Sequence, residues 1–168
     1  MPGIWNLTVS SALNITGAFQ IWLPSRGFIS DTTYFLRPDP DTLVTGPGNS
    51  QYALTVSAYD HTTGGIYIHS SRGFSRSGQI KPELAAPGVN ITGAGLRSSF
   101  VQRSGTSAAA AILLHWGILE RNDPFMNTSA IKTYLIRGAK RNPALTYPNR
   151  EFGYGTLDLY QAFLRLRL

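Results

Sequence analysis

The chain reads as an α/β fold in which short buried strands lead into a helix with no polar face. Apolar runs at Gln51–Tyr59 and Leu84–Gly88 are bounded by turn residues, as expected of strands buried on both sides. From about Ser107 to Leu119 the residues are apolar almost all round, and a helix without a polar face is a buried one. The 168 residues include 17 Gly and 10 Pro, enough for many short connections, and 42% hydrophobic content is enough for a packed core.

The elements follow in order. Residues 1–37 are expected to be β-rich. Ile4–Ser10 alternates large apolar and polar residues, Asn14–Pro24 gives a second strand and Thr32–Leu36 a third. Such strands suit a β-sandwich that is not complete within this stretch. Arg37-Pro38-Asp39-Pro40-Asp41 then forbids regular structure and marks a boundary between residues 1–37 and 38–168. Beyond it, Gln51–Tyr59, Gly65–Ile68, Leu84–Gly88 and Val89–Thr92 read as strands. The apolar helix from Ser107 comes next. A second helix is expected from about Thr128 to Arg137, capped by Asn127 or Thr128, with Ile131, Tyr134 and Leu135 at helical spacing and Gly138 as C-cap. A short helix from Leu157 to Leu166 closes the chain. Strands before and around a buried helix imply a layered α/β core.

Composition narrows the function classes. With no cysteine, neither a disulfide framework nor a thiolate metal site is possible. The net charge is +6, but Arg26, Arg37, Arg72, Arg76, Lys81, Arg97 and Arg103 are scattered singly. Only Arg137-Lys140-Arg141 and Arg165-Arg167 are dense, which argues against a nucleic-acid partner. No window approaches the roughly 20 apolar residues of a membrane span. The start Met-Pro-Gly-Ile-Trp lacks a signal peptide's basic and apolar regions and reads as an internal start. There is no H-E-x-x-H, no P-loop and no acidic calcium loop, so no metal or other cofactor is expected.

The segment with most chemical content is Ser104-Gly105-Thr106-Ser107 followed by four alanines. A hydroxyl residue on a tight turn, entering a helix of small residues, lifts its Oγ clear of neighbours. The helix N-terminus places unpaired N–H groups and partial positive charge beside it, which suits an oxyanion. A structural N-cap serine is the competing reading. Candidate bases for Ser107 are His61, His69 and His115. His61 lies in the turn Asp60–Gly65, where a solvated loop histidine is the ordinary outcome, and His69 precedes Ser70-Ser71-Arg72-Gly73. His115, on the same helix, sits roughly 12 Å along the axis from Ser107 and cannot take its proton. No base can be named within the chain.

Ser70-Ser71-Arg72-Gly73-Phe74 and then Gly78-Gln79-Ile80-Lys81-Pro82-Glu83-Leu84-Ala85-Ala86-Pro87-Gly88-Val89-Asn90-Ile91 resemble the S-S-R-G…G-x-I-K-P-[DE]-[LIV]-x-A-P-G-V-x-I signature of subtilisin-like serine peptidases. In that family it precedes the nucleophile motif G-T-S-x-A by one short hairpin, as it does here before Gly105-Thr106-Ser107. Gly153-Tyr154-Gly155-Thr156-Leu157-Asp158 is similar to the family's closing motif. Phe19–Pro24, Tyr34–Pro40, Tyr134–Ala139 and Tyr147–Gly155 are similar to the clostridial Csp-type branch, the spore germination proteases and pseudoproteases.

The resemblance implies the C-terminal part of a subtilisin-like parallel-sheet three-layer fold, preceded by strands from a jelly-roll β-sandwich insertion. It implies Ser107 as catalytic nucleophile acting on protein or peptide substrates, and an exported or spore and cell-envelope location. The family's Asp, its His in an H-G-T-x-V setting and its oxyanion Asn all come earlier in chain order, and none of these motifs occurs in this sequence. The chain alone is therefore expected to be inert and to need the N-terminal half of the peptidase domain as partner. Ala111 stands where the family usually has Pro, and Ile112 where it has His or Val; neither change removes a catalytic group.

Overall fold

A computed structural model describes residues 3–10, 17, 19–24, 27–114 and 127–165. The chain divides into two compact units, Met1–Pro38 and Asp39–Leu168. In the first, the described residues form no strand, so the strands expected at Ile4–Ser10 and Thr32–Leu36 are absent, as is one over 19–24. Residues 14–16 and 18 of the expected Asn14–Pro24 strand lie outside the described residues. Alternating side chains set a period of two, but a strand exists only when a partner takes its N–H and C=O groups. A turn at Ser30–Thr33 is closed by Thr33 N–H donating to the Ser30 carbonyl at 2.9 Å.

The second unit is built on a parallel pair, β1 (Val56–Tyr59) and β2 (Leu84–Pro87), with Val56 opposite Leu84 and Tyr59 opposite Pro87. Residues 154–157 lie along the other edge of β2. Ala85 and Thr156 form a parallel bridge, and the Leu157 N–H donates to the Ala85 carbonyl at 2.7 Å. An antiparallel hairpin follows, β3 (Ile91–Ala94) and β4 (Phe100–Arg103), leading into α1 (Thr106–Leu114). The rest of the helix expected to reach Leu119, with His115, lies outside the described residues. Then come α2 (Thr128–Gly138) and α3 (Leu159–Leu164).

Pleating puts Val56, Ala58, Leu84 and Ala86 on one face of the pair. Ala109 of α1 packs with Ala58 and Ala86, while Ile131 and Leu135 of α2 and Ala162 of α3 gather around Leu84. Each large aliphatic side chain buried this way contributes about 1.5–3 kcal/mol. On the opposite face Ser57 Oγ donates to the Glu151 carbonyl at 2.5 Å, and the Tyr59 and Phe152 rings lie 6.3 Å apart. Burial there pushes the Tyr59 phenol above its ordinary pKa.

The short strand expected at Gly65–Ile68 shrinks to a single bridge, Tyr59 to Ile66, because the chain turns sharply over Asp60–Gly65. Asp60 Oδ1 accepts the Thr62 N–H at 2.8 Å, which holds that carboxyl below its usual range. Asn127 caps α2 as expected, accepting from Ala130 N–H at 2.9 Å. Gly138 is not the C-cap: it is the last helical residue, and Ala139 takes the cap position. Its smallness serves packing instead, since a Cβ there would lie 2.8 Å from the Ala162 Cβ of α3. Among the described residues no helix is long and apolar enough to cross a membrane.

Candidate active site

Ser107 is exposed in the first turn of α1. Its position follows from a relay of backbone bonds that starts in the sheet. Gly88 N–H, just past β2, donates to the Tyr59 carbonyl at the end of β1 at 2.9 Å, and Gly105 N–H donates to the Gly88 carbonyl at 2.7 Å. The Gly105 carbonyl then accepts the Ala108 N–H at 3.1 Å, opening the helix. On the hairpin side Ser104 Oγ accepts the Asn90 N–H at 2.9 Å and closes the base of β3 and β4. The turn holding Ser107 is thus tied to the C-terminal ends of both parallel strands, where ligand sites of open α/β sheets lie.

Only glycine fits at position 88. A Cβ there would lie 2.5 Å from the Ala58 Cβ and 3.0 Å from the Gly105 carbonyl oxygen. Gly88→Ala is expected to destabilise the protein by about 1–3 kcal/mol through this crowding. Because Gly88 carries the relay, the same change should shift backbone amide resonances of Gly105 to Ala108. NMR spectra of the two proteins, with urea midpoints alongside, check both effects.

Ser107 Oγ makes no hydrogen bond among the described residues, and the Thr106 and Ser107 N–H groups have no acceptor there. Free donors at a helix N-terminus next to an unencumbered hydroxyl can hold an oxyanion beside a nucleophile. A cleft of about 200 Å³ reaches the neighbouring Thr106 and is lined also by Ser70, Ser71, Val44 and the 45–48 turn; Ser107 itself does not line it. His61 and His69 are both exposed, and neither bonds to Ser107; His69 packs edge-on against Tyr67 with ring centroids 5.2 Å apart. The structure therefore sets the serine at a helix N-terminus whose first residue, Thr106, lines a cleft, and leaves the two described histidines out.

The S-S-R-G and K-P-E letters acquire physical roles. Ser70 Oγ accepts the Ala58 N–H at 3.0 Å, satisfying a buried edge group of β1. Arg72 pairs with Glu151 at 3.0 Å, and Arg150 pairs with Asp41. Lys81 and Glu83, with side chains 1% and 0% exposed, are bonded at 2.6 Å. Lys81 Nζ also donates to the Ala53 carbonyl at 2.6 Å, Glu83 Oε2 accepts the Thr55 N–H at 2.8 Å, and Lys132 of α2 reaches Glu83 Oε1 at 2.5 Å. Lys132 escaped the sequence reading. Its only signal was a lysine directly after the inward-facing Ile131.

Comparison with known proteins agrees with this architecture. The model of the Subtilase family matches residues 11–155. The solved CspB protease of Clostridium perfringens is 35% identical with a TM-score of 0.69, covering 80% of this chain and 31% of that one. The prenylagaramide maturation protease PagA is 27% identical with a TM-score of 0.55, over 76% of this chain and 47% of its own. Among curated proteins, the membrane-bound transcription factor site-1 protease of Mus musculus is 30% identical over 91 residues, 51% of this chain but 8% of the mouse protein. The chain spans under a third of the CspB protease and under a tenth of the site-1 protease. Of the helix expected to be buried all round, only Ala109 is buried among the described residues, while Ala110 and Ala111 are exposed because α1 packs on the sheet by one side alone. With a family match over most of its length, and a parallel sheet that delivers Gly105-Thr106-Ser107 to the start of α1, the chain belongs to the subtilase family.

Proposed function

We propose that this chain supplies the nucleophile of a serine endopeptidase, with Ser107 Oγ attacking the carbonyl of a protein or peptide substrate and forming an acyl-enzyme that water then hydrolyses. The observation that carries the reading is the unencumbered Ser107 hydroxyl beside free N–H donors at the start of α1. The Ser107 N–H would be one oxyanion donor. The general base, its orienting Asp and the oxyanion Asn come from residues of the peptidase domain that this sequence does not contain, so the 168 residues alone are inert. On this reading residues 1–37 are the end of a β-sandwich insertion and 38–168 the distal part of the peptidase domain. The division of the chain at Pro38 and Asp39, and the exposed Trp5, Leu7 and Tyr34 in the first unit, support that assignment.

A second reading is a pseudoprotease that keeps the fold and acts by protein interaction. It is favoured by the absence of a histidine bonded to Ser107 among the described residues. A fluorophosphonate probe separates the two when applied to the complete peptidase and its Ser107→Ala variant. Labelling of the first and not the second is expected. Equal labelling of both sinks the nucleophile assignment, and labelling of neither favours the pseudoprotease.

A further inference from the structure

A separate cleft of about 410 Å³ lies between the Gly78–Lys81 segment and α2, lined by Gln79, Ile80, Lys81, Lys132, Ile136 and Tyr154. None of these residues lines the cleft at Thr106. Two of its features are unsatisfied. The Lys81, Glu83 and Lys132 cluster sets two cations on one carboxylate, whose oxygens are already occupied by both ammonium groups and the Thr55 N–H. Glu83 is fully enclosed, while the Lys132 side chain is 30% exposed, so the uncompensated charge reaches the surface at Lys132. Its ammonium has three donors and one acceptor in the structure. The second feature is Gln79 Oε1, a buried acceptor with no hydrogen-bond partner among the described residues. Buried polar groups are ordinarily bonded, and an orphan calls for an explanation.

A ligand that answers both features needs an anionic oxygen for Lys132 and an N–H for Gln79, and Ile80, Ile136 and Tyr154 add an apolar wall. We propose that the cleft binds the C-terminal residue of a polypeptide, with an apolar side chain. The α-carboxylate sits on Lys132, the residue's own backbone N–H on Gln79 Oε1, and the side chain against the wall. A bare carboxylate leaves Gln79 unpaired, and a neutral amide leaves the lysine charge uncompensated. A free amino acid shares the carboxylate but sets an ammonium beside two lysines, where like charge opposes it.

Calorimetric titration with N-acetyl-L-leucine, N-acetyl-L-leucinamide and free leucine tests the assignment. The acetylated acid is expected to bind at least about tenfold more tightly than the amide, and more tightly than free leucine. Lys132→Gln should erase the preference for acid over amide. Ile136→Trp, which fills the cleft and leaves the charged cluster in place, should weaken the acid by about tenfold or more with the thermal midpoint held. Ser107→Ala should bind it unchanged, so this result stands or falls independently of the peptidase reading. Equal affinity for acid and amide, tighter binding of free leucine, unaltered binding by Ile136→Trp, or no saturation by about 20 mM overturns the proposal. The ligand comparisons on the unmodified protein decide it even if a variant fails to fold.

Discussion

Replacing Ser107 with alanine is expected to lower kcat of the complete peptidase by about 10⁶-fold, the scale on which subtilisin itself loses activity without its serine. The size of the effect follows from the atom removed. Ser107 Oγ is the atom that would carry the acyl group. Ser104, the nearest other serine in sequence, already holds the Asn90 N–H at the base of the hairpin. The helix N-terminus, the relay through Gly88 and the adjacent cleft all survive the change. KM should therefore stay within about twofold while kcat collapses, the pattern of an interaction made only in the transition state. Steady-state kinetics on a peptide substrate make the check. A variant that keeps more than about a tenth of wild-type kcat removes Ser107 from the mechanism.

The second large effect is on stability. Glu83→Ala is expected to cost about 3–5 kcal/mol, because it strands the buried Lys81 ammonium and removes the acceptor of the Thr55 N–H together. Against a typical total of about 5–15 kcal/mol this is a large share. Added salt should restore little of it, since screening acts weakly on enclosed pairs. A companion variant, Lys81→Met with Glu83→Leu, removes both charges and should recover most of the loss. Urea midpoints for the three proteins give the answer. A loss below about 1 kcal/mol for Glu83→Ala would mean that the lysines find other partners at little cost.

Much of this was legible in the chain because the informative features are local. The Gly105-Thr106-Ser107 turn, the apolar stretch after it and the Asn127 cap are each specified within a few residues, and each forms where expected. Features that depend on distant partners were not legible. The alternation at Ile4–Ser10 states which side chains could share a face, yet no neighbouring strand among the described residues takes up its backbone groups. Gly138 looks like a helix stop when only its own segment is read, and its role appears only with Ala162 beside it. The letters K-P-E could be quoted as a signature, but the pairing of Glu83, just before β2, with Lys132 crosses to a helix far along the chain.

The placement of residues 154–157 along β2 also bears on how this protein is made. β2 gains its first neighbour from β1, synthesised before it, and its second from a segment near the far end of the chain. Until the ribosome has released that segment, one edge of β2 presents bare N–H and C=O groups in an otherwise apolar layer. Such an edge is a template for pairing with another nascent chain. Long-range parallel pairing is also slow to form. Ribosome-stalled chains ending before Tyr154 should therefore depend on chaperones, and chains that include Leu157 and α3 should escape them.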